Sequence, residues 1–180
     1  AGQGFLFEMV APCVSGPAQP RMGFGARFLH VMGGSKSSVS GALSTVEIYD
    51  TQTNTWAAGA PLPTAREDAA AAVLGGKIYL LGGNPATNSV DVFDPQTRAW
   101  AAGVPMARKR YFPVTAAAAG KLYAMGGYGG DSCLSSVEAF DPQTGAWAEV
   151  APMPTARCGA GVAVLDGKIY VVGGVGSNFV

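Results

Sequence analysis

Charge is scarce in this sequence: Lys, Arg, Asp and Glu make up 13% of 180 residues, with 12 bases balanced by 12 acids. Phosphate affinity comes from clustered Lys and Arg, so a neutral chain without a basic run is a poor nucleic-acid binder. Histidine is nearly absent, His30 being the only one. A zinc or copper centre asks for two or more imidazoles or a thiolate cluster, so no metal or other cofactor is expected. A serine hydrolase needs an imidazole base as well, and there is no Gly-x-Ser-x-Gly. Cysteine is sparse: Cys13, Cys133 and Cys158 show no regular spacing. That scatter favours free thiols in a reducing compartment, hence the cytoplasm, although one disulfide plus one thiol fits the same count. No run approaches 18 apolar residues, which excludes a transmembrane helix and any membrane partnership through one. Ala1 to Pro20 lacks the basic start of a secretory signal.

What is abundant is glycine, 26 residues, with 12 prolines and a hydrophobic fraction of 48%. Disorder needs low hydrophobicity and high charge, so a turn-rich folded domain is expected instead. The glycines are not scattered. Pairs stand at Gly33-Gly34, Gly82-Gly83, Gly126-Gly127 and Gly173-Gly174, and the three tryptophans, Trp56, Trp100 and Trp147, each precede a pair by 26 residues. Six residues before each tryptophan is an aspartate after an aromatic: Asp50, Asp94, Asp141. Ten residues after each is an arginine: Arg66, Arg110, Arg157. Such self-similarity at a fixed period is the mark of a repeat architecture. Counting back 26 from Gly33 gives Phe7 in the tryptophan slot, Pro17 in the arginine slot, and a degenerate extra half-repeat.

Each repeat holds four short strands. Strand a is small and apolar (Asp68 to Leu74, Pro113 to Ala119, Gly159 to Leu165) and strand b follows it (Lys77 to Leu81, Lys121 to Met125, Lys168 to Val172). The residues between, Gly75-Gly76, Ala119-Gly120 and Asp166-Gly167, suit two-residue hairpins. Strand c is Thr45 to Tyr49, Ser89 to Phe93 and Ser136 to Phe140; it ends in turn sequences such as Asp-Pro-Gln-Thr, and strand d carries the tryptophan. A four-stranded unit cannot bury both faces alone, but such units stack radially as the blades of an all-β propeller. Ala-rich strand a suits the crowded axis, tryptophan the widening outer gap, and Gly-Gly a close backbone approach.

The pattern Arg-x(5)-Ala…Gly-Lys-Ile-Tyr-x-x-Gly-Gly, seen from Arg157 to Gly174, with Val-Glu-x-Tyr-Asp…Trp from Val46 to Trp56, resembles the kelch repeat. The resemblance implies a kelch-type β-propeller over residues 1–180. Its expected layout is strand d of a preceding blade at about 5–11, blades at about 17–58, 66–102 and 110–150, and an incomplete blade at 157–180. Kelch propellers generally close with five to seven blades, most often six, so further blades from a longer chain are expected.

No catalytic constellation emerges, and His30 falls in the slot of Tyr79, Tyr123 and Tyr170. The aspartates fit turn capping and the tryptophans fit blade packing. The loops joining strand b to strand c vary, and variable loops on a rigid scaffold are where binding usually resides. Arg66, Arg110 and Arg157 sit beside them, with two readings open. A guanidinium can grip the carboxylates of an acidic peptide, or it can support the blade connection. Asn84, Tyr128 and Asp131 are further candidate contacts, as are Lys109 and Tyr111. The resemblance to kelch-like adaptors implies a non-catalytic module that binds a protein or acidic peptide, as in substrate recognition for a ubiquitin ligase. Propeller enzymes of the sialate mutarotase or galactose oxidase type, completed by other blades, and a structural subunit of a cytoskeletal or other large complex are the alternatives.

Overall fold

The computed structural model describes residues 10–11, 28–37 and 40–176. Among them there is no helix, and so none long and apolar enough to cross a membrane. The first sheet is built from β1 (Val10–Ala11) and β2 (Phe28–Met32), then, after the small hairpin β3 (Ser35–Ser37) and β4 (Ser40–Ala42), from β5 (Val46–Asp50) and β6 (Thr55–Ala58). The second contains β7 (Ala70–Leu74), β8 (Lys77–Leu81), β9 (Val90–Asp94) and β10 (Ala99–Ala102). The third contains β11 (Val114–Ala118), β12 (Lys121–Met125), β13 (Val137–Asp141) and β14 (Ala146–Val150). A two-stranded sheet, β15 (Gly161–Leu165) and β16 (Lys168–Val172), follows. Strand order is sequential and pairing antiparallel throughout, as in a meander.

The hairpins between first and second strands are two-residue turns with both residues at positive φ: +58° and +74° at Gly75-Gly76, +49° and +74° at Ala119-Gly120, +50° and +71° at Asp166-Gly167. That geometry matches the right-handed twist of the flanking strands. The first strands start later than their apolar composition predicts. Asp68, Phe112 and Gly159 stand in the left-handed region at φ +55°, +51° and +59°, which breaks the extended backbone just before β7, β11 and β15.

The core lies between sheets. Leu81, Val90, Met106, Leu122 and Phe140 form one buried cluster joining the second and third sheets, with Tyr79 and Trp147 packed on it. Val46, Leu62, Ala69 and Leu80, with Trp100, join the first and second. Val114, Ala116, Met125 and Val137 join the third to Ile169 and Val171. Each fully buried Leu or Met in such a cluster contributes about 1.5–3 kcal/mol. First strands of successive sheets adjoin, β7 beside β11 and β11 beside β15, which explains their Ala-rich composition. The tryptophans bridge outward: Trp100 Nε1 donates to Ala60 O (3.0 Å) and Trp147 Nε1 to Val104 O (2.8 Å), each bonding back to the loop of the sheet before.

Two expectations are corrected. Val10 and Ala11 pair with Leu29 and Phe28, so they form the first strand of the first described blade and not the last strand of a preceding one. The stretch the repeat ruler assigns to that inner strand, 19–25, lies outside the described residues, as do Phe7 and Pro17. Second, Cys133 and Cys158 are joined in a disulfide. Their 25-residue separation is about half a repeat, the step that places one blade's loop against the start of the next blade. The thiol argument for a reducing compartment therefore falls.

Candidate interaction face

Each repeated arginine works on two blades at once. Its backbone carbonyl accepts the N–H of the second glycine of the preceding blade: Gly34 to Arg66 (2.7 Å), Gly83 to Arg110 (3.0 Å), Gly127 to Arg157 (2.8 Å). Its guanidinium then donates to the carbonyl of the first glycine of its own blade: Arg66 Nη1 to Gly82 (2.9 Å), Arg110 Nη1 to Gly126 (2.7 Å), Arg157 Nη1 to Gly173. A Cβ on Gly33 or Gly82 would lie 2.3 Å from the next arginine's carbonyl oxygen, so the first glycine of the pair admits no side chain.

Acids on the third strands complete the grip. Arg66 Nη2 meets Asp91 Oδ2 at 2.7 Å, and Arg110 Nη2 meets Glu138 Oε1 at 2.9 Å. Arg66 and Arg110 are 5% and 0% exposed, which removes both guanidinium groups from the surface. Burial pushes Arg110 below the usual arginine range, against the opposing pull of Glu138. Neither Asp91 nor Glu138 stood out in the repeat ruler, because one position holds Asp and the other Glu.

The residue after each arginine meets the loop after Gly-Gly. Glu67 bridges to Asn84, Tyr111 to Tyr128 and Cys158 to Val175, so both loop sets form one rim. Asn84 Nδ2 donates to Glu67 Oε1 at 2.8 Å. Inside that rim Phe112 N donates to Asp68 O and Gly159 N to Phe112 O, linking successive blades. Asp68 is pushed up to about 6 by desolvation and by the charge of Glu67. On the rim, Tyr111 lies edge-on to Tyr128 with centroids 5.1 Å apart and 5.0 Å from Phe112. Sequence reasoning named Tyr111 and Tyr128 as separate loop candidates without pairing them; it missed Phe112, Glu67 and Asp68, whose only signal is their constant distance from the arginines.

Beside the aromatic group a groove of about 360 Å³ runs between the loops 107–109 and 129–134, lined by Arg108, Lys109, Asp131 and Ser132. Its walls are pinned. The buried Glu138 accepts N–H bonds from Ala107 (2.6 Å) and Arg108 (3.2 Å) on one side. On the other, Cys133 ties the loop to Cys158 in the next blade. Lys109 and Asp131 are exposed, and Arg108 reaches the exposed Glu149 at 3.3 Å. The structure thus gathers Tyr128, Asp131, Lys109 and Tyr111, sets Asn84 further along the same rim, and holds Arg66 and Arg110 beneath it.

The repeat markers serve the turns. Asp50, Asp94 and Asp141 each accept the N–H of the residue two further on, at 2.8–2.9 Å. Lys77 and Lys121 pair with Asp94 and Asp141 at 2.9 and 3.0 Å. Asp94 is held below the usual carboxylate range, first by its bond from Lys77, and Asp141 likewise, first by the N–H of Gln143. Among the described residues no group of three or more His, Cys, Asp or Glu converges as metal ligands would.

Comparison with known proteins agrees with the fold. The model of the KLHDC2/KLHL20/DRC7 Kelch-repeats domain matches residues 26–180. Kelch-like protein 35 of Homo sapiens is 54% identical over 41 residues, which is 23% of this chain and 7% of that protein. The match therefore spans a small fraction of the relative's length.

Proposed function

Because the chain belongs to the kelch-repeat family, we propose that it is a non-catalytic protein-interaction module whose rim takes up an acidic segment of a partner. The observation that carries this reading is the pinned groove at 107–109 and 129–134, where Arg108 and Lys109 face solvent beside Tyr111 and Tyr128. Aromatic side chains next to cationic ones supply apolar area and charge-assisted hydrogen bonds together. Asn84, Tyr128 and Asp131 belong to the contact surface. Arg66, Arg110 and Arg157 serve it from below, by holding the Gly-Gly turns from which the loops spring. Glu67 and Asp68 make the neighbouring part of the rim acidic, which orients an acidic segment towards the Arg108 end. A substrate-recognition role in a ubiquitin ligase adaptor, and with it a place in the cytoplasm, is the finer form of this proposal and is supported by the resemblance to kelch-like adaptors.

The test is fluorescence anisotropy of the chain against a panel of labelled Asp/Glu-rich peptides that each carry one aromatic residue. Saturable binding that weakens about tenfold in the double variant Arg108→Glu, Lys109→Glu, and weakens with added salt, is expected. Equal binding by both forms, or none by the wild type, overturns the proposal.

A further inference from the structure

β16 pairs with β15 on one side, and among the described residues no strand pairs with its other edge. In the other sheets a third strand takes that edge. Those strands, β5, β9 and β13, read Val-Glu-Ile-Tyr-Asp, Val-Asp-Val-Phe-Asp and Val-Glu-Ala-Phe-Asp. In β9 and β13 each part of the pattern has a fixed receiver. The aromatic stands opposite the second residue of the neighbouring strand, Phe93 opposite Ile78 and Phe140 opposite Leu122. The final aspartate takes the lysine that opens that strand: Asp94 takes Lys77 at 2.9 Å and Asp141 takes Lys121 at 3.0 Å. The acid three residues earlier takes the arginine, Asp91 from Arg66 and Glu138 from Arg110. The residue before the pattern accepts an N–H from the first glycine of the pair, Ser89 from Gly82 and Ser136 from Gly126, both at 3.1 Å.

β16 repeats every receiver. Lys168 opens it, Ile169 comes second, Gly173 follows its end, and the Arg157 guanidinium is held on the Gly173 carbonyl. Among the described residues, neither Lys168 nor Arg157 has an acidic partner, and the Gly173 N–H has no third-strand carbonyl. Lys168, Tyr170 and Val172 are exposed, and Arg157, Ile169 and Val171 are half-buried, so the edge is open to solvent. Tyr123 of the preceding blade packs with Ile169 and Val171 on one buried cluster, as Tyr79 meets Phe140 at 6.0 Å one blade earlier. An unpaired edge takes an extended segment through main-chain hydrogen bonds, while side-chain partners give specificity.

We propose that the edge of β16 is a strand-addition site for an extended segment of a partner protein, reading apolar, acid, any residue, aromatic, aspartate. The segment runs antiparallel to β16, with its aspartate on Lys168, its acid on Arg157 and its aromatic opposite Ile169. The carbonyl before the pattern accepts the Gly173 N–H. Two cations at opposite ends of one edge fix direction and register together. A second β16 edge does not fit, because Lys-Ile-Tyr-Val-Val holds no acid. The site does not depend on the groove at the rim.

The experiment titrates a fluorescent synthetic peptide copying residues 135–150 into the full chain, read by anisotropy and by hydrogen exchange. Saturable binding is expected, with exchange in β16 slowed at least about tenfold and the loops 107–109 and 129–134 unchanged. Within the peptide, E138Q and F140A should each weaken binding about tenfold, and D141N about threefold. In the protein, Lys168→Glu should weaken the original peptide about tenfold, and a peptide carrying D141K should regain that loss. No saturable binding, binding as tight by a scrambled peptide, or protection at the rim loops without protection of β16 overturns the proposal. Should Lys168→Glu not fold, undiminished binding by the E138Q and F140A peptides overturns it alone.

Discussion

Arg110 and Glu138 show how much a single side chain does here. Both are almost entirely buried, and the guanidinium bonds Gly126 O, Ser136 O and Ser136 Oγ besides the carboxylate. Removing one partner leaves the other charge in an apolar interior. Arg110→Met should therefore cost about 3–5 kcal/mol in urea unfolding, and the double variant Arg110→Met, Glu138→Leu clearly less than the two singles added together. Additive losses would mean that the pair is not coupled. Asp68 makes an opposite prediction. Its folded pKa of about 6 is above the unfolded value, so between roughly pH 4 and pH 6 the native state binds more protons than the unfolded one. The stability that Asp68 contributes is then greatest at low pH and declines as pH rises through 6. Asp68→Asn should remove this decline and raise the urea midpoint at pH 7, helped by the tolerance of Asn for a φ of +55°. A midpoint that still falls by the same amount from pH 5 to pH 7 in the variant would refute it.

Among the elements, the hairpins are the place to improve stability. Ala119 occupies a turn position at φ +49° where the second blade has Gly75 at +58°. Ala119→Gly should stabilise by about 0.5–1 kcal/mol, raising Tm by roughly 1–4 °C; a fall in Tm would show that unfolded-chain entropy outweighs the relief of backbone strain. These turns also mark what a sequence reader can see. Strands β8, β12 and β16 begin at a lysine after a turn and end at Gly-Gly, and their limits were legible to the residue. Strands β7 and β15 were not, because nothing in Asp68 or Gly159 announces a left-handed backbone two residues before the ladder begins. For the site, the loops and their variability were visible. The direction of the arginine side chains was not, since a strut and a grasping residue repeat with equal fidelity; their partners Asp91 and Glu138 lie 25 and 28 residues on. The Cys133–Cys158 link escaped for the same reason, since it joins neighbours in the ring and not neighbours in the chain.

For the molecule as a whole, burial is graded around the arc. Leu122 in β12 and Leu81 in β8 are fully buried, whereas β15 is exposed along its length, and Val164, Leu165, Tyr170 and Val172 face solvent. Trp56 is 55% exposed, while Trp100 and Trp147 are half-buried under the neighbouring sheet's loop. Native-state hydrogen exchange should find β8 and β12 slowest and β15 and β16 faster by on the order of 100-fold or more. Uniform protection would mean that the sheets open as one unit. The arginine relay gives this arc a grammar of assembly. Among the described residues three joints consist of the same three parts, a glycine N–H, an arginine carbonyl and that arginine's guanidinium on the next glycine carbonyl, so Arg66, Arg110 and Arg157 act as the same plug and Gly34, Gly83 and Gly127 as the same socket. A duplication or deletion cut between equivalent residues of two repeats regenerates every joint without a new contact having to evolve. One that cuts anywhere else leaves a plug without a socket, so ring size in such a molecule can change only by whole blades.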